Sequence, residues 1–156
     1  MNGEEFSAVF AEQYPAVLAF ARRRVGHEDG EDVAAEVFAV AWRRLDVAPE
    51  DVRPWLFGIA KNVIRDCTRG STRHLRLQTK LAMQPVTKWT DAPNHAANID
   101  LQRAWAELSE SDREAIALVA WDGLSSADAA RVLSISRVAY AARLSRARKR
   151  LHKRLQ

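Results

Sequence analysis

Basic side chains gather at the end of this chain in a pattern that suits a phosphate-rich ligand. From Arg131 onward there are nine lysines and arginines and no acidic residue. The whole chain carries a net charge of only +4, so the residues before Arg131 are net negative. A cationic end on an otherwise acidic chain favours a polyanion such as nucleic acid. Taken alone, these charges would also fit the solvated face of a terminal helix.

The residues around these cations are spaced as two short helices. Apolar positions recur at helical spacing over Ser126–Leu133 and again over Arg137–Arg150. Ser125 and Ser136 stand where helix N-caps are expected, and the junction Ser134-Ile135-Ser136 is short. Two helices joined in this way form a helix-turn-helix. Together with the basic charge, this arrangement predicts a DNA-binding unit.

Length and composition restrict the fold class. The 156 residues are 47% hydrophobic and 28% charged, which is enough for one medium or two small soluble domains. Glycine and proline are few and long apolar runs have helical spacing, so the predicted class is all-α. Cys67 is the single cysteine; it cannot form a disulfide within the chain and is expected in the core. With no leader or membrane-spanning pattern, a cytoplasmic location is expected.

The first half of the chain predicts three helices, over Phe6–Val25, Glu28–Leu45 and from Pro54 onward. Pro15 is expected to kink or split the first of them. Asp32 and Glu36 share a face of the second helix, but no further ligand or proton carrier converges on them. They fit the rim of a docking surface better than a catalytic or metal site. We therefore predict no enzyme, metal or cofactor.

Two helical domains are predicted, with a linker between them. They cover residues 1–76 and 98–156, and the linker covers 77–97, where proline, threonine and asparagine break the periodicity. Trp89 is unusual for a free linker and is expected to dock on a partner or on one of the domains. In the third helix, basic residues are interleaved with aromatic ones, a composition that suits single-stranded nucleic acid. Trp55 and Phe57 are also compatible with a place in the core, and for Trp55 the core is the favoured interpretation.

The order of these motifs resembles the extracytoplasmic-function sigma factors of bacterial RNA polymerase. The matching stretches cover nearly the whole chain except the linker: Glu31 to Phe38, Ala41-Trp42-Arg43, Arg53 to Asn62, Leu108-Ser109-Glu110, Gly123-Leu124-Ser125 and Ser136 to Arg150. The chain departs from the family pattern at Ala35, where glutamine is usual, and at Ser134, where glycine is usual. It also has Val138-Ala139-Tyr140 in place of Gly-Thr-Val, and Ala141 in place of a frequent Lys or Arg.

The resemblance implies two sites in the first domain. One docks on core RNA polymerase, and its matching residues are Asp32, Glu36, Val37, Val40 and Arg44. The absence of the usual glutamine at Ala35 is expected to weaken it. The other site reads the minus-ten element as an opened strand with a flipped base, through the 46–53 loop and the third helix. Its matching residues are Arg53, Lys61, Asn62 and Arg65, which offer an amide for a base edge and cations for phosphate.

The resemblance also implies that the last helix enters the major groove at the minus-thirty-five element. The residues placed there are Arg131, Ser136, Arg137, Ala141, Ala142, Arg143, Ser145, Arg146, Arg148 and Lys149. Arginine paired with guanine is the strongest base contact available to this set. The short side chains of Ala141 and Ala142 allow a thymine methyl contact or close approach, so shape readout is expected to contribute. The inner face is expected to hold Tyr140, Leu144 and Ala147.

The implied function is a sigma factor whose partners are core RNA polymerase and promoter DNA, with an anti-sigma factor as a further partner and no membrane insertion. A rival interpretation is a one-component helix-turn-helix regulator that binds duplex DNA without polymerase. A sigma mimic or adaptor that reads no promoter is another. No nucleophile–base pair, phosphate-binding loop or metal spacing supports an enzyme.

Overall fold

The computed structural model describes residues 1–78 and 99–156, with side chains for 1–67 and 99–156. These described ranges contain seven α-helices, one short 3-10 helix and no strand. The all-α prediction is therefore confirmed. The chain divides into two compact units, Met1–Thr90 and Asp91–Gln156. Residues 77 and 78 are helical, whereas the rest of the predicted linker, with Trp89, lies outside the described residues.

The first unit is a bundle of three helices. They are α1 (Gly3–Val25), α2 (His27–Arg43) and α3 (Val52–Gln78), and each packs against the other two. Their apolar faces form one core, in which the rings of Phe20 and Phe57 stack with centroids 4.6 Å apart. The buried apolar residues of this core are Val17, Phe20, Ala21, Val33, Ala34, Val37, Phe38, Ala41, Leu56, Phe57, Ile59 and Ala60.

Pro15 does not divide the first helix, because α1 is continuous through it. A proline inside a helix removes one backbone hydrogen bond and costs about 3 kcal/mol. Packing of α1 against both α2 and α3 offsets that cost, which the sequence pattern alone did not reveal. The helices α1 and α2 approach each other closely at Gly30. A Cβ atom added to Gly30 would lie 2.5 Å from Cγ and 3.0 Å from Cα of Arg22 in α1.

The connection between α2 and α3 covers residues 44–51, so it is as long as the predicted 46–53 loop but begins two residues earlier and contains a helical turn. The helix α2 ends at Arg43, two residues before the predicted end, and Leu45–Val47 form the 3-10 helix. The helix α3 then begins at Val52. Pro54 consequently falls in the first turn of α3, where its missing N–H costs no helical hydrogen bond.

The second unit is organised around its last helix. Its elements are α4 (Ile99–Glu107), α5 (Glu110–Ala120), α6 (Ser126–Leu133) and α7 (Arg137–Leu155). The helix α7 packs against each of the other three. The apolar residues buried between them are Ala104, Leu108, Ala115, Ile116, Ala117, Leu118, Leu124, Ala129, Ala130, Val132, Leu133, Tyr140, Leu144 and Ala147.

Candidate nucleic-acid interface

Helices α6 and α7 form the predicted helix-turn-helix. The hydroxyl oxygen of Ser125 accepts from the N–H of Asp128 at 3.1 Å and caps α6. That of Ser136 accepts from the N–H of Ala139 at 3.0 Å and caps α7. Both capping predictions are confirmed. Each cap satisfies a backbone donor that the first turn of a helix leaves without a partner.

The turn between the two helices contains a residue in the left-handed region. Ser134 has φ 56° and ψ 41°, and it is the only residue other than glycine with positive φ in the described ranges. Its N–H donates to the carbonyl of Arg131, and the N–H of Ile135 donates to that of Ala130. This pair of bonds is a Schellman motif, whose left-handed position glycine occupies at the least cost. The backbone thus explains why glycine is usual here in the family that the sequence resembles.

The inner face of α7 fixes the rotation of the helix. Tyr140, Leu144 and Ala147 are buried, as predicted. The hydroxyl of Tyr140 donates to the carbonyl oxygen of Ala115 in α5. Burial raises the pKa of Tyr140 to about 12, so the phenol stays protonated over the physiological range. Because this ring cannot turn outward without breaking that bond, the opposite face of α7 is held toward solvent.

The exposed side of the helix-turn-helix carries nearly all the residues predicted for duplex DNA. The exposed ones are Arg131, Ser136, Arg137, Ala141, Ala142, Ser145, Arg146, Arg148 and Lys149, and Arg143 is half-buried. Arg131 also lies 3.5 Å from Asp128 in an ion pair. Val138 belongs on the same surface: it stands in the first turn of α7, and 81% of it is exposed. Sequence reasoning treated Val138 only as a departure from the family pattern.

Two of the basic residues of α7 are used inside the unit. Arg150 binds Asp112 of α5 through Nη1, which lies 2.9 Å from each carboxylate oxygen. Arg154 lies 2.9 Å from Glu107 of α4. The hydroxyl oxygen of Ser109 accepts from the N–H of Asp112 and caps α5, while the carboxylate of Asp112 binds Arg150. The cationic run is therefore partly neutralised by its own unit, which a count of charges could not show.

The residues predicted for the opened strand lie on α3 and form two hydrogen-bonded pairs with neighbours. The Nε–H of Arg53 donates to Oε1 of Gln13 at 2.8 Å, and Nη2 of Arg65 donates to Oδ1 of Asn62 at 2.8 Å. Arg53, Asn62 and Arg65 are exposed, and Lys61 is half-buried. Oδ1 of Asn62 accepts one bond from Arg65 and keeps a second lone pair, and its NH₂ group offers two donors to a ligand.

The aromatic residues of α3 are less accessible than a base-stacking surface requires. Phe57 is buried in the core and Trp55 is half-buried. Phe57 therefore belongs to the packing of the bundle, which was the alternative left open by the sequence.

The surface of α2 fits the predicted docking site in part. Asp32, Glu36 and Arg44 are exposed and Val40 is half-buried. Val37 is 0% exposed, so including it in a docking surface was wrong. Helical spacing alone could not distinguish the flank of α2 that meets α1 and α3 from the flank that meets solvent.

Cys67 was expected in the core and is exposed instead. Local desolvation raises the pKa of its thiol, and the charges of Asp29 and Asp66 raise it further. The acidic side of α2 therefore lies close enough to α3 to influence this thiol.

In the two described ranges, no group of three or more His, Cys, Asp or Glu side chains could hold a metal ion. No helix of those ranges is long and apolar enough to cross a membrane.

Comparison with known families divides the chain at the same place as its fold. Residues 9–77 match the model of sigma-70 region 2, and residues 99–151 match that of sigma-70 region 4. The RNA polymerase sigma factor NccH of Alcaligenes xylosoxydans xylosoxydans is 32% identical over 99% of this chain and 90% of its own length. The sigma factor CnrH of Cupriavidus metallidurans is 33% identical over 96% of this chain and 86% of its own.

Solved structures show the same arrangement of helices. The sigma factor RpoE of Bartonella quintana, crystallised with the anti-sigma factor NepR, has a TM-score of 0.71 at 27% identity and covers 97% of both chains. CnrH in complex with the cytosolic domain of CnrY has a TM-score of 0.67 at 29% identity, covering 97% of this chain and 88% of its own. A basic helix-turn-helix joined to a three-helix unit of this kind defines a DNA-binding transcription initiation factor. The chain belongs to the extracytoplasmic-function family of RNA polymerase sigma factors.

Proposed function

We propose that this sigma factor binds core RNA polymerase and directs initiation at promoters by reading two elements in different forms. It reads the minus-thirty-five element as duplex and the minus-ten element as an opened strand. The working parts are residues 1–76 and 98–156, joined by the linker 77–97. Its partners are core polymerase and promoter DNA, and it carries out no catalysis of its own.

The observation that carries this proposal is the division of α7 into two faces. Tyr140, Leu144 and Ala147 are buried, while Ala142, Ser145 and Arg146 are exposed on the opposite side; Ala141 is exposed on the flank and Arg137 is exposed at the first residue of α7. A helix with a packed inner face and a cationic, small-residue outer face can lie deep in a major groove. Arg137 and Arg146 offer bidentate contacts to guanine, and Val138 offers an apolar contact to a thymine methyl. Arg131, Ser136, Arg143, Arg148 and Lys149 bind the flanking phosphates.

The minus-ten site consists of Arg53, Lys61, Asn62 and Arg65. The bond from Arg65 to Oδ1 at 2.8 Å orients the amide of Asn62, whose NH₂ group donates to a base acceptor. Arg53 and Lys61 supply cations for the phosphates of the single strand. The exposure of Arg53, Asn62 and Arg65 supports this placement.

Core polymerase docks on the exposed side of α2, through Asp32, Glu36, Arg44 and the half-buried Val40. This surface carries charges of both signs, acidic at Asp32 and Glu36 and basic at Arg44, which favours a specific partner over a generic polyanion. Two structural relatives were solved with a bound partner: RpoE with the anti-sigma factor NepR, and CnrH with the cytosolic domain of CnrY. By that similarity, an anti-sigma factor is a further partner of this chain.

Run-off transcription with bacterial core polymerase on a library of randomised promoters tests the proposal. The protein should select templates with two conserved elements separated by a fixed spacer. A one-component regulator would instead enrich duplex sites in a binding selection without polymerase. Selection of no promoter with core polymerase would contradict the proposal.

A further inference from the structure

A buried amide of α1 contacts one of the proposed minus-ten residues. Gln13 is only 6% exposed, and its Oε1 accepts from the Nε–H of Arg53 at 2.8 Å. The two residues are 40 positions apart, so the bond joins α1 to the first turn of α3. Gln13 matched no motif in the sequence and contributes to no proposed contact with DNA or polymerase.

The chemistry of this pair leaves most of the guanidinium available. A buried amide oxygen requires a donor, and a charged donor makes the stronger hydrogen bond. Arginine has five N–H groups, and the contact with Gln13 uses only the one on Nε. The terminal nitrogens keep four donors, in the planar fork that suits the oxygens of a phosphate. Arg53 itself is exposed, so a strand can approach it.

Holding Arg53 in this way lowers the entropic cost of binding. A free arginine side chain has many rotamers, and a ligand that fixes them loses part of its binding free energy. A side chain that is already held through Nε loses less. The two bonds are equally short at 2.8 Å, but the burial of Gln13 makes its bond to Arg53 a better anchor than the exposed pair of Arg65 with Asn62.

We propose that Gln13 is a positioning residue, which orients Arg53 so that its terminal nitrogens bind a phosphate of the opened minus-ten strand. This inference rests on the proposed function and names a residue that acts through another. Gln13 does not touch the DNA. Its effect on promoter binding therefore depends on the presence of Arg53.

The test measures how tightly the complex of the full chain with core polymerase binds a fork-junction DNA. This DNA comes from a promoter selected from the library, and its minus-ten element is single-stranded. Gln13→Met removes the acceptor at similar volume and should weaken binding to the fork roughly 3- to 10-fold. Gln13→Glu restores an acceptor and should recover most of the affinity. Arg53→Met should weaken binding further. In the Arg53→Met background, Gln13→Met should have no additional effect.

Val17→Ala is the matched control for a purely structural role. Val17 lies one turn further along α1 and is fully buried, so this change loosens the same helix without touching Arg53. It should leave fork binding unchanged at temperatures where the variant is folded. Equal losses for Val17→Ala and Gln13→Met would overturn the inference, as would additive losses for Gln13→Met and Arg53→Met.

Failure of the underlying proposal gives a different result. If the wild-type protein with core polymerase selects no promoter, the proposed function is overturned and the inference with it. If promoters are selected but Arg53→Met binds the fork as the wild type does, Arg53 is not at the interface. That result would overturn the inference while leaving promoter-directed initiation in place.

Discussion

Nη1 of Arg150 lies 2.9 Å from both carboxylate oxygens of Asp112, which ties the basic end of α7 to the first turn of α5. The side chain of Asp112 is only 6% exposed, whereas that of Arg150 is 55% exposed. The carboxylate is thus shielded from water and depends on this arginine. A residue in the most basic stretch of the chain therefore contributes to the stability of its own unit.

Asp112→Asn should destabilise the second unit by about 1.5–3 kcal/mol, because a charge-assisted bond in a buried position is lost. Hydrogen exchange of the α5 amides in the full chain measures this change. Glu107→Gln is the matched control, since Glu107 and Arg154 form an exposed pair at the same 2.9 Å distance. It should cost less than about 1 kcal/mol. Equal losses for the two variants would contradict the role given to burial.

Ser134→Gly should stabilise the helix-turn-helix by about 1 kcal/mol, because Ser134 occupies a left-handed conformation that disfavours any side chain. Urea denaturation provides the measurement. Ser145→Gly is the control: Ser145 is exposed in the middle of α7, where glycine should cost about 0.5 kcal/mol relative to serine. The two changes should therefore have opposite signs, and destabilisation by both would refute the account of the turn.

Tyr140 makes stability depend on pH in the alkaline range. Its folded pKa is about 12, above the ordinary value of 10. Below pH 10 the phenol is protonated in both the folded and unfolded states, so its contribution is constant. Between pH 10 and about 12 the unfolded state releases the proton more readily, so the free energy of unfolding falls. This loss should appear in denaturation curves recorded across that range.

Tyr140→Phe should remove this part of the pH dependence. At neutral pH it should also cost about 1 kcal/mol, because the carbonyl of Ala115 loses its donor. Tyr14→Phe changes the other tyrosine of the chain and should leave the alkaline loss in place. An unchanged alkaline loss in Tyr140→Phe would mean that another group is responsible.

Arg146→Ala should lower the affinity of the polymerase complex for its promoter by about 1–3 kcal/mol and relax the preference at one base pair. Competition binding with promoter variants measures both effects. Lys153→Ala is the control, since Lys153 is another exposed cation of α7 and is not among the proposed contacts. It should change the affinity for all sequences by the same small amount. If affinity fell without any change in base preference, Arg146 would contact the DNA phosphates and not a base. That result would contradict the predicted contact between Arg146 and a base.

The sequence predicted the features of this fold that depend on neighbours in the chain. The caps at Ser125 and Ser136 and the buried face with Tyr140 follow from spacing over one or two turns. It did not predict the bonds of Gln13 to Arg53 or of Asp112 to Arg150. These link residues 40 and 38 positions apart, and an exposed arginine gives no local sign of which partner it will take.

Errors in the first unit have a related physical origin. Val37 was placed on the docking surface, but the helix turns it into the core, where it is fully buried. The sequence of α2 shows which residues form its apolar stripe. It does not show how many of these residues are covered by α1 and α3. Pro15 was expected to kink or divide α1; the division was wrong, because packing on both sides keeps the helix continuous.

Permanganate reactivity of thymines in the minus-ten element of a selected promoter tests the central claim most directly, because it reports an opened strand. The thymines should become reactive only when the protein and core polymerase are present together, and Asn62→Ala should reduce the signal while Ser145→Ala should not abolish it. If the protein protected duplex DNA equally well without polymerase, and the thymines never became reactive, the account of a strand-reading sigma factor would be contradicted.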